Sequence, residues 1–142
     1  MEDSVSQQQA FLPSPRDPSR RMRVVLLTIY SIENAGIRYV SAALQREGVD
    51  TTIVFLRDWV HNRLTMPSDA EFRKALDIIQ EKDADLVGVG FMSSLLPMAK
   101  ELTRRVKAQF PTTPVVWGGI HPTSDPAGSI EEADYVCRGE GE

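Results

Sequence analysis

Few side chains in this 142-residue sequence could act as soft metal ligands or as acid–base groups near neutrality, and those few are scattered: His61, His121 and Cys137. A zinc or iron–sulfur site needs a cluster of three or four imidazoles and thiolates at close spacing. A metal held by protein ligands is therefore not expected, and no catalytic constellation is visible. The informative residues are ones suited to binding. Gly118-Gly119 follows the apolar run Val115-Val116-Trp117, and glycine lets a backbone approach a ligand closely or take positive φ. A plain turn is the alternative, but Pro122-Thr123 follows at once and favours a sharp loop aimed at a ligand. His121, beside Pro122, either borders that loop as a contact or shapes its turn. Met92-Ser93-Ser94-Leu95 offers two hydroxyls next to apolar side chains, just before a helix start whose free amides suit a polar or anionic group. Ser31-Ile32-Glu33-Asn34-Ala35-Gly36 mixes hydrogen-bond acceptors with a glycine that either admits a ligand or eases the turn into a helix.

These residues need elements to position them. From Arg23 onward, short β-branched apolar runs alternate with longer stretches whose apolar residues recur at helical spacing. The strands are predicted at Arg23 to Tyr30, Thr51 to Leu56, Leu86 to Phe91, Val115 to Trp117 and Asp134 to Cys137. One helix is predicted from Gly36 to Glu47, ended by Gly48 as a left-handed cap. A second opens on Ser68-Asp69-Ala70-Glu71, a capping box, and carries Phe72, Ala75, Leu76 and Ile79 on its inner face. A third begins near Pro97, buries Ala99, Leu102 and Val106, and stops at Pro111. Strict alternation of strand and helix gives an α/β, doubly wound, flavodoxin-like or Rossmann-like parallel sheet of five strands, with the common order 2-1-3-4-5. The chain direction reverses between strands 1 and 3, so a ligand crevice is expected at their carboxyl ends. Every candidate loop named above ends a strand at that edge, and Arg138 to Glu142 follows strand 5. Gly88-Val89-Gly90 is not a dinucleotide fingerprint, because it lies within a strand and opens no helix. His61, in the long connection from Arg57 to Pro67, reads as a surface histidine.

The totals set bounds. A chain of this length builds one core, and no apolar run approaches the roughly 20 residues of a membrane span. A net charge of -4 argues against a nucleic-acid partner, which calls for a clustered basic face. A single cysteine forms no internal disulfide, in keeping with a cytoplasmic protein. Residues 1–20 are rich in Ser, Gln, Pro and charge, and are expected to be a disordered tail preceding a domain at 21–142. Ser19-Arg20-Arg21 superficially resembles a twin-arginine export signal, but the apolar run behind it is too short and is followed by Glu33 and Asn34.

The strand-end loops also match a known family. Val115-Val116-Trp117-Gly118-Gly119-Ile120-His121-Pro122-Thr123, continued by Ala133-Asp134-Tyr135-Val136-Cys137-Arg138-Gly139-Glu140-Gly141-Glu142, resembles the cobalamin-binding domain at the amino terminus of B12-dependent radical S-adenosylmethionine enzymes. Val24 to Asp58 is similar to that family's first strand, helix and second strand. The resemblance implies a cobalamin-binding module, with cofactor contacts from Ser31, Glu33, Asn34, Ala35, Gly36, Met92, Ser93, Ser94, Leu95, Gly118, Gly119, His121, Pro122, Arg138, Gly139 and Glu140. The wider fold uses Asp-x-His-x-x-Gly after strand 1, its histidine serving as lower cobalt ligand. Here Gly36 matches the glycine, Ser93 and Leu95 the Ser-x-Leu loop, and Gly118-Gly119 the third loop, but Ser31 replaces the aspartate and Glu33 the histidine. That departure implies base-off cobalamin without histidine ligation.

The family's pattern would continue into a barrel with three cysteines for a 4Fe-4S cluster and S-adenosylmethionine. This chain has neither those cysteines nor a last helix after strand 5, so it is expected to be cut short and to serve a radical domain in cis or trans, of methyltransferase or cyclase type. Two readings of other classes remain. A receiver domain shares the strand order but needs a phosphorylatable aspartate ending strand 3, where Gly90-Phe91 stands. A flavin or nucleotide-binding domain is supported by fold analogy alone.

Overall fold

In the computed structural model, which describes residues 17–29, 34–56 and 65–139, the elements follow the expected alternation. They are β1 (Arg23–Thr28), α1 (Ala35–Arg46), β2 (Asp50–Phe55), α2 (Asp69–Lys82), β3 (Leu86–Gly90), α3 (Leu96–Gln109), β4 (Val115–Gly118), α4 (Ile120–Ser124), α5 (Pro126–Glu132) and β5 (Tyr135–Val136). All strand pairs are parallel, in the order β2-β1-β3-β4-β5. Among the described residues no helix is long and apolar enough to cross a membrane.

Alternation along each strand divides the core between two faces. On one side Val25, Leu27, Val87, Val89, Val115 and Trp117 pack against the apolar stripes of α2 and α3, with Phe72, Ile79, Leu102 and Val106 fully enclosed. On the other, Val24 and Leu26 pack against Ile37, Val40 and Leu44 of α1. Helix starts follow the sequence signals. Ser68 Oγ accepts from the Glu71 amide at 3.2 Å while the Glu71 carboxylate accepts from the Ser68 amide at 2.8 Å, and Pro97 stands in the first turn of α3.

Besides shifts of one or two residues at the other element ends, two regions differ from expectation. Helices α4 and α5 occupy a stretch in which no helix was expected. Both are too short for a periodic apolar stripe, yet α5 has an ordinary start, with Asp125 Oδ1 accepting from the Gly128 amide at 3.1 Å and Pro126 at the first position. Strand β5 spans two residues rather than four; beside it the Asp134 amide donates to the Val115 carbonyl at 2.9 Å, while the Asp134 side chain accepts from the Val115 amide at 2.8 Å. Within the segment ahead of β1, Asp17 to Arg20 form a turn, the Arg20 amide donating to the Asp17 carbonyl at 3.2 Å; residues 1–16 lie outside the described residues.

Arg20 shows why that turn is held. Its guanidinium donates to both carboxylate oxygens of Asp85, at 2.9 and 3.0 Å, and the Arg23 amide donates to the same carboxylate at 2.8 Å. The Asp85 side chain is fully buried at the amino edge of the sheet. Removing a buried carboxylate strands its donors. Asp85→Ala is therefore expected to cost about 3 kcal/mol, read from the urea midpoint of unfolding; an unchanged midpoint would make the pairing incidental.

Candidate functional site

The register lines up the carboxyl ends of the three central strands: Thr28 pairs with Gly90, and Gly90 with Gly118. Two of these three residues lack side chains. A Cβ on Gly90 would meet nothing nearer than the Gly118 carbonyl oxygen at 4.0 Å, and one on Gly118 would first meet the Cys137 Cβ at 3.7 Å. A substituent on Gly90 would be unobstructed and one on Gly118 would rest against Cys137 at ordinary contact distance, so the glycines leave a trough at the carboxyl edge. By alternation it opens on the α1 face, the side away from Val89 and Trp117. Among the described residues α1 is the only helix packed on that face, and Val116, Tyr135 and Cys137 beside the trough are half-buried.

The loops around it are tied together. Asn34 caps α1, its Oδ1 accepting from the Ile37 amide at 3.2 Å, and its amide nitrogen donates to buried Thr28 at 3.2 Å. After β3, Ser93–Leu95 form a 3-10 turn in which the Leu95 amide donates to the Met92 carbonyl and the Leu96 amide to that of Ser93. Those two amides are thus taken up by the chain itself. Neither serine caps the helix. Ser93 Oγ instead lies 3.0 Å from His121 Nδ1, which joins the loops after β3 and β4. The Gly139 amide donates to Thr123 Oγ1 at 3.0 Å, joining the exit of β5 to α4.

Gly119 is fixed by the fold before any ligand is considered. Its φ of 103° is one that side chains resist, and a Cβ would lie 2.8 Å from the Phe91 carbonyl oxygen and 3.1 Å from the Phe91 nitrogen. The choice between turn and ligand contact at this position was too narrow, because glycine is demanded by a close approach of β4's end to β3's end.

The candidate residues fall into distinct groups. Met92, Ser93, Ser94, Gly119, Arg138 and Gly139 are exposed at the edge, with Ala35 and Gly36 in the first turn of α1. Leu95 and Pro122 are buried and seat their loops from below. His121 is half-buried, its ring stacked on Phe91 with centroids 5.5 Å apart and planes 25° apart. Ser31, Glu33 and Glu140 lie outside the described residues, as does His61. Sequence reading missed Thr28 and Phe91 as parts of this region, while Ile120 and Thr123 fall within the Gly118 to Thr123 stretch it placed there. Phe91 had the signal of ending a strand, and Ile120, the first residue of α4, is 66% exposed.

A model of the B12 binding domain matches residues 22–142. The chain belongs to the B12-binding domain family. Among solved structures this B12-binding domain is similar to a cobalamin-binding protein from Desulfitobacterium hafniense, with a TM-score of 0.65 and 17% identity over 86% of the chain. The chain spans 55% of that protein's length. It is also similar to the response regulator TrrA from Thermotoga maritima (TM-score 0.54, 14% identity, 83% of this chain and 86% of that one) and to a receiver domain of a LuxO repressor protein from Vibrio parahaemolyticus (0.52, 15%, 84% and 78%). At these identities the likenesses establish the shared five-strand fold. No curated protein matches the sequence.

The Gly119 geometry gives a prediction for this B12-binding domain. Gly119→Ala should cost about 1–3 kcal/mol of stability, because the new methyl meets the Phe91 backbone, which cannot swing away as a side chain would. Thermal unfolding without ligand checks it; an unshifted midpoint would mean that the β3–β4 junction relaxes freely.

Proposed function

We propose that this domain carries cobalamin base-off, with its nucleotide tail lowered into the Gly90–Gly118 trough and its corrin ring across the carboxyl edge. On this reading no imidazole of the chain ligates the cobalt. The observation that carries the reading is the side-chain-free row at the centre of the edge, walled by Thr28 and Asn34 on one flank and by Cys137 on the other. A slender tail needs such a slot, while a flat macrocycle needs a rim of exposed loops, here Met92 to Ser94, Gly119 to His121, and Arg138. The rim supplies apolar contact from Met92 and Ile120, 49% and 66% exposed, and polar contact from Ser93 and His121. Binding sites of this kind pair a largely apolar lining with a few placed polar groups. The chemistry that cobalamin supplies when bound is the carriage or release of a carbon group at cobalt.

The absence of a lower histidine follows from the sequence, where Ser31 and Glu33 stand at the positions of aspartate and histidine. Neither the imidazole ligand nor the carboxylate that would orient it is therefore available in this loop. The further proposal is that the domain presents its cofactor to a radical S-adenosylmethionine domain, in cis or in trans, which would hold the 4Fe-4S cluster and S-adenosylmethionine. This rests on the resemblance of Gly118 to Thr123 and Arg138 to Glu142 to that enzyme class. A receiver function has a specific obstacle: the residue after β3 is Phe91, 5% exposed, where phosphorylation needs an aspartate.

The test is retention of hydroxocobalamin through desalting, with the Co(II) paramagnetic resonance spectrum recorded after reduction. Stoichiometric retention without nitrogen superhyperfine splitting is expected; a folded chain that elutes free of corrin would defeat the reading. Gly90→Val probes the trough directly, since a Cβ there is unobstructed. It should weaken retention by more than about tenfold, or about 1.4 kcal/mol, while leaving the unfolding midpoint unchanged or higher, as strand glycines are destabilising.

A further inference from the structure

His121 is held at three points, two on its ring and one on its main chain. One face lies on the Phe91 ring, its Nδ1 is 3.0 Å from Ser93 Oγ, and its main-chain amide donates to the Phe91 carbonyl at 3.4 Å. Phe91 is itself fixed, meeting the Trp117 ring edge-on with centroids 4.9 Å apart, and the Trp117 indole N–H donates to Thr103 inside the core at 2.8 Å. A column of rings thus runs from the core to the crevice and ends on an imidazole. Ordering a half-exposed side chain costs conformational entropy, and neither the core nor α4 needs this ring's orientation. Its orientation has a use if the second nitrogen meets a ligand, because a donor already in place loses less freedom on binding.

We infer that His121 is a specificity-determining contact of the B12 site, in which the Ser93 hydroxyl donates to Nδ1 and so fixes the proton on Nε2, and Nε2–H donates to an oxygen of the corrinoid. The inference rests on the cobalamin reading above. The two ring nitrogens sit apart on the imidazole, so Nε2 cannot also face Ser93. A corrinoid offers two kinds of acceptor at its periphery, amide carbonyls around the ring and the phosphodiester of the tail. An imidazole N–H suits either, as it donates without requiring a counter-charge.

The chain has two histidines, so a His61→Asn background leaves one imidazole to observe. In 15N-histidine-labelled protein, two-bond proton–nitrogen spectra should show the Nε2–H tautomer in the free domain and a changed Nε2–H shift when hydroxocobalamin is added. Ser93→Ala should admit the Nδ1–H tautomer beside it, which the parent excludes. His121→Phe keeps a ring on Phe91 but removes the donor, and should raise the Kd for hydroxocobalamin by roughly tenfold; His121→Gln should recover part of the loss. Unfolding midpoints of the variants close to that of the parent exclude misfolding as the cause. Cobinamide, which keeps the ring amides and lacks the phosphodiester, assigns the acceptor: a penalty that persists with cobinamide supports an amide, and one that vanishes supports the phosphate. Parent protein that binds hydroxocobalamin while His121→Phe binds it equally well overturns the inference alone. Nitrogen superhyperfine splitting that disappears in His121→Phe also overturns it, by making His121 a cobalt ligand. A parent that retains no corrinoid overturns both the inference and the reading beneath it.

Discussion

Gly119 sits with its Cα against the backbone of Phe91, and everything at the carboxyl edge is arranged around that approach. The Phe91 amide donates to the Gly118 carbonyl at 3.2 Å and the Phe91 carbonyl accepts from the His121 amide. The loops after β3 and β4 are therefore stitched by backbone, through a glycine at φ 103°, before any side chain contributes. A larger residue at 119 would separate the two strand ends, and with them the Ser93–His121 pair. Local backbone chemistry thus sets the spacing of the loops, and the spacing sets what the crevice can accept.

The two edges of the sheet divide labour. At the amino edge, Asp85 collects Arg20 and the Arg23 amide in a fully buried carboxylate site, tying the segment ahead of β1 to β3. At the carboxyl edge the central strands end in Gly90 and Gly118, where volume is withheld. A crevice is costly because it forgoes burial that a larger side chain would supply, and the full enclosure of Trp117, Phe72, Leu27 and Ile79 offsets that loss in the core.

The architecture was legible because its signals are long or chemically distinct: β-branched runs for the strands, the Ser68–Glu71 box for α2, Pro97 for α3. The strand order followed from alternation and handedness. Helices α4 and α5 were not legible, because elements of five and seven residues carry no periodic stripe, and Asp125-Pro126 is a start signal with no pattern behind it to confirm it. The candidate site was legible as loops and not as contacts. Gly118-Gly119 drew attention as a pair, yet their roles differ: Gly118 leaves space, while Gly119 relieves a clash with Phe91. Sequence shows which residue is small; only the fold shows what its size is for. The same holds for Asn34, whose amide serves the α1 cap and Thr28 and is committed to holding its loop.

Shared topology with receiver domains sharpens the same point. Both folds place a crevice beyond β1 and β3, and both depend on what stands at the end of β3. A carboxylate there would make a site for phosphoryl chemistry; this chain has Phe91, turned into the core between Trp117 and His121. Exchanging an anion for an aromatic platform removes the charge that recruits a divalent cation and leaves a stack that steadies an imidazole. Gly90, one residue earlier, faces the opposite side and leaves the trough. Adjacent residues on one strand therefore serve both halves of a binding site, because successive positions in a strand alternate between faces.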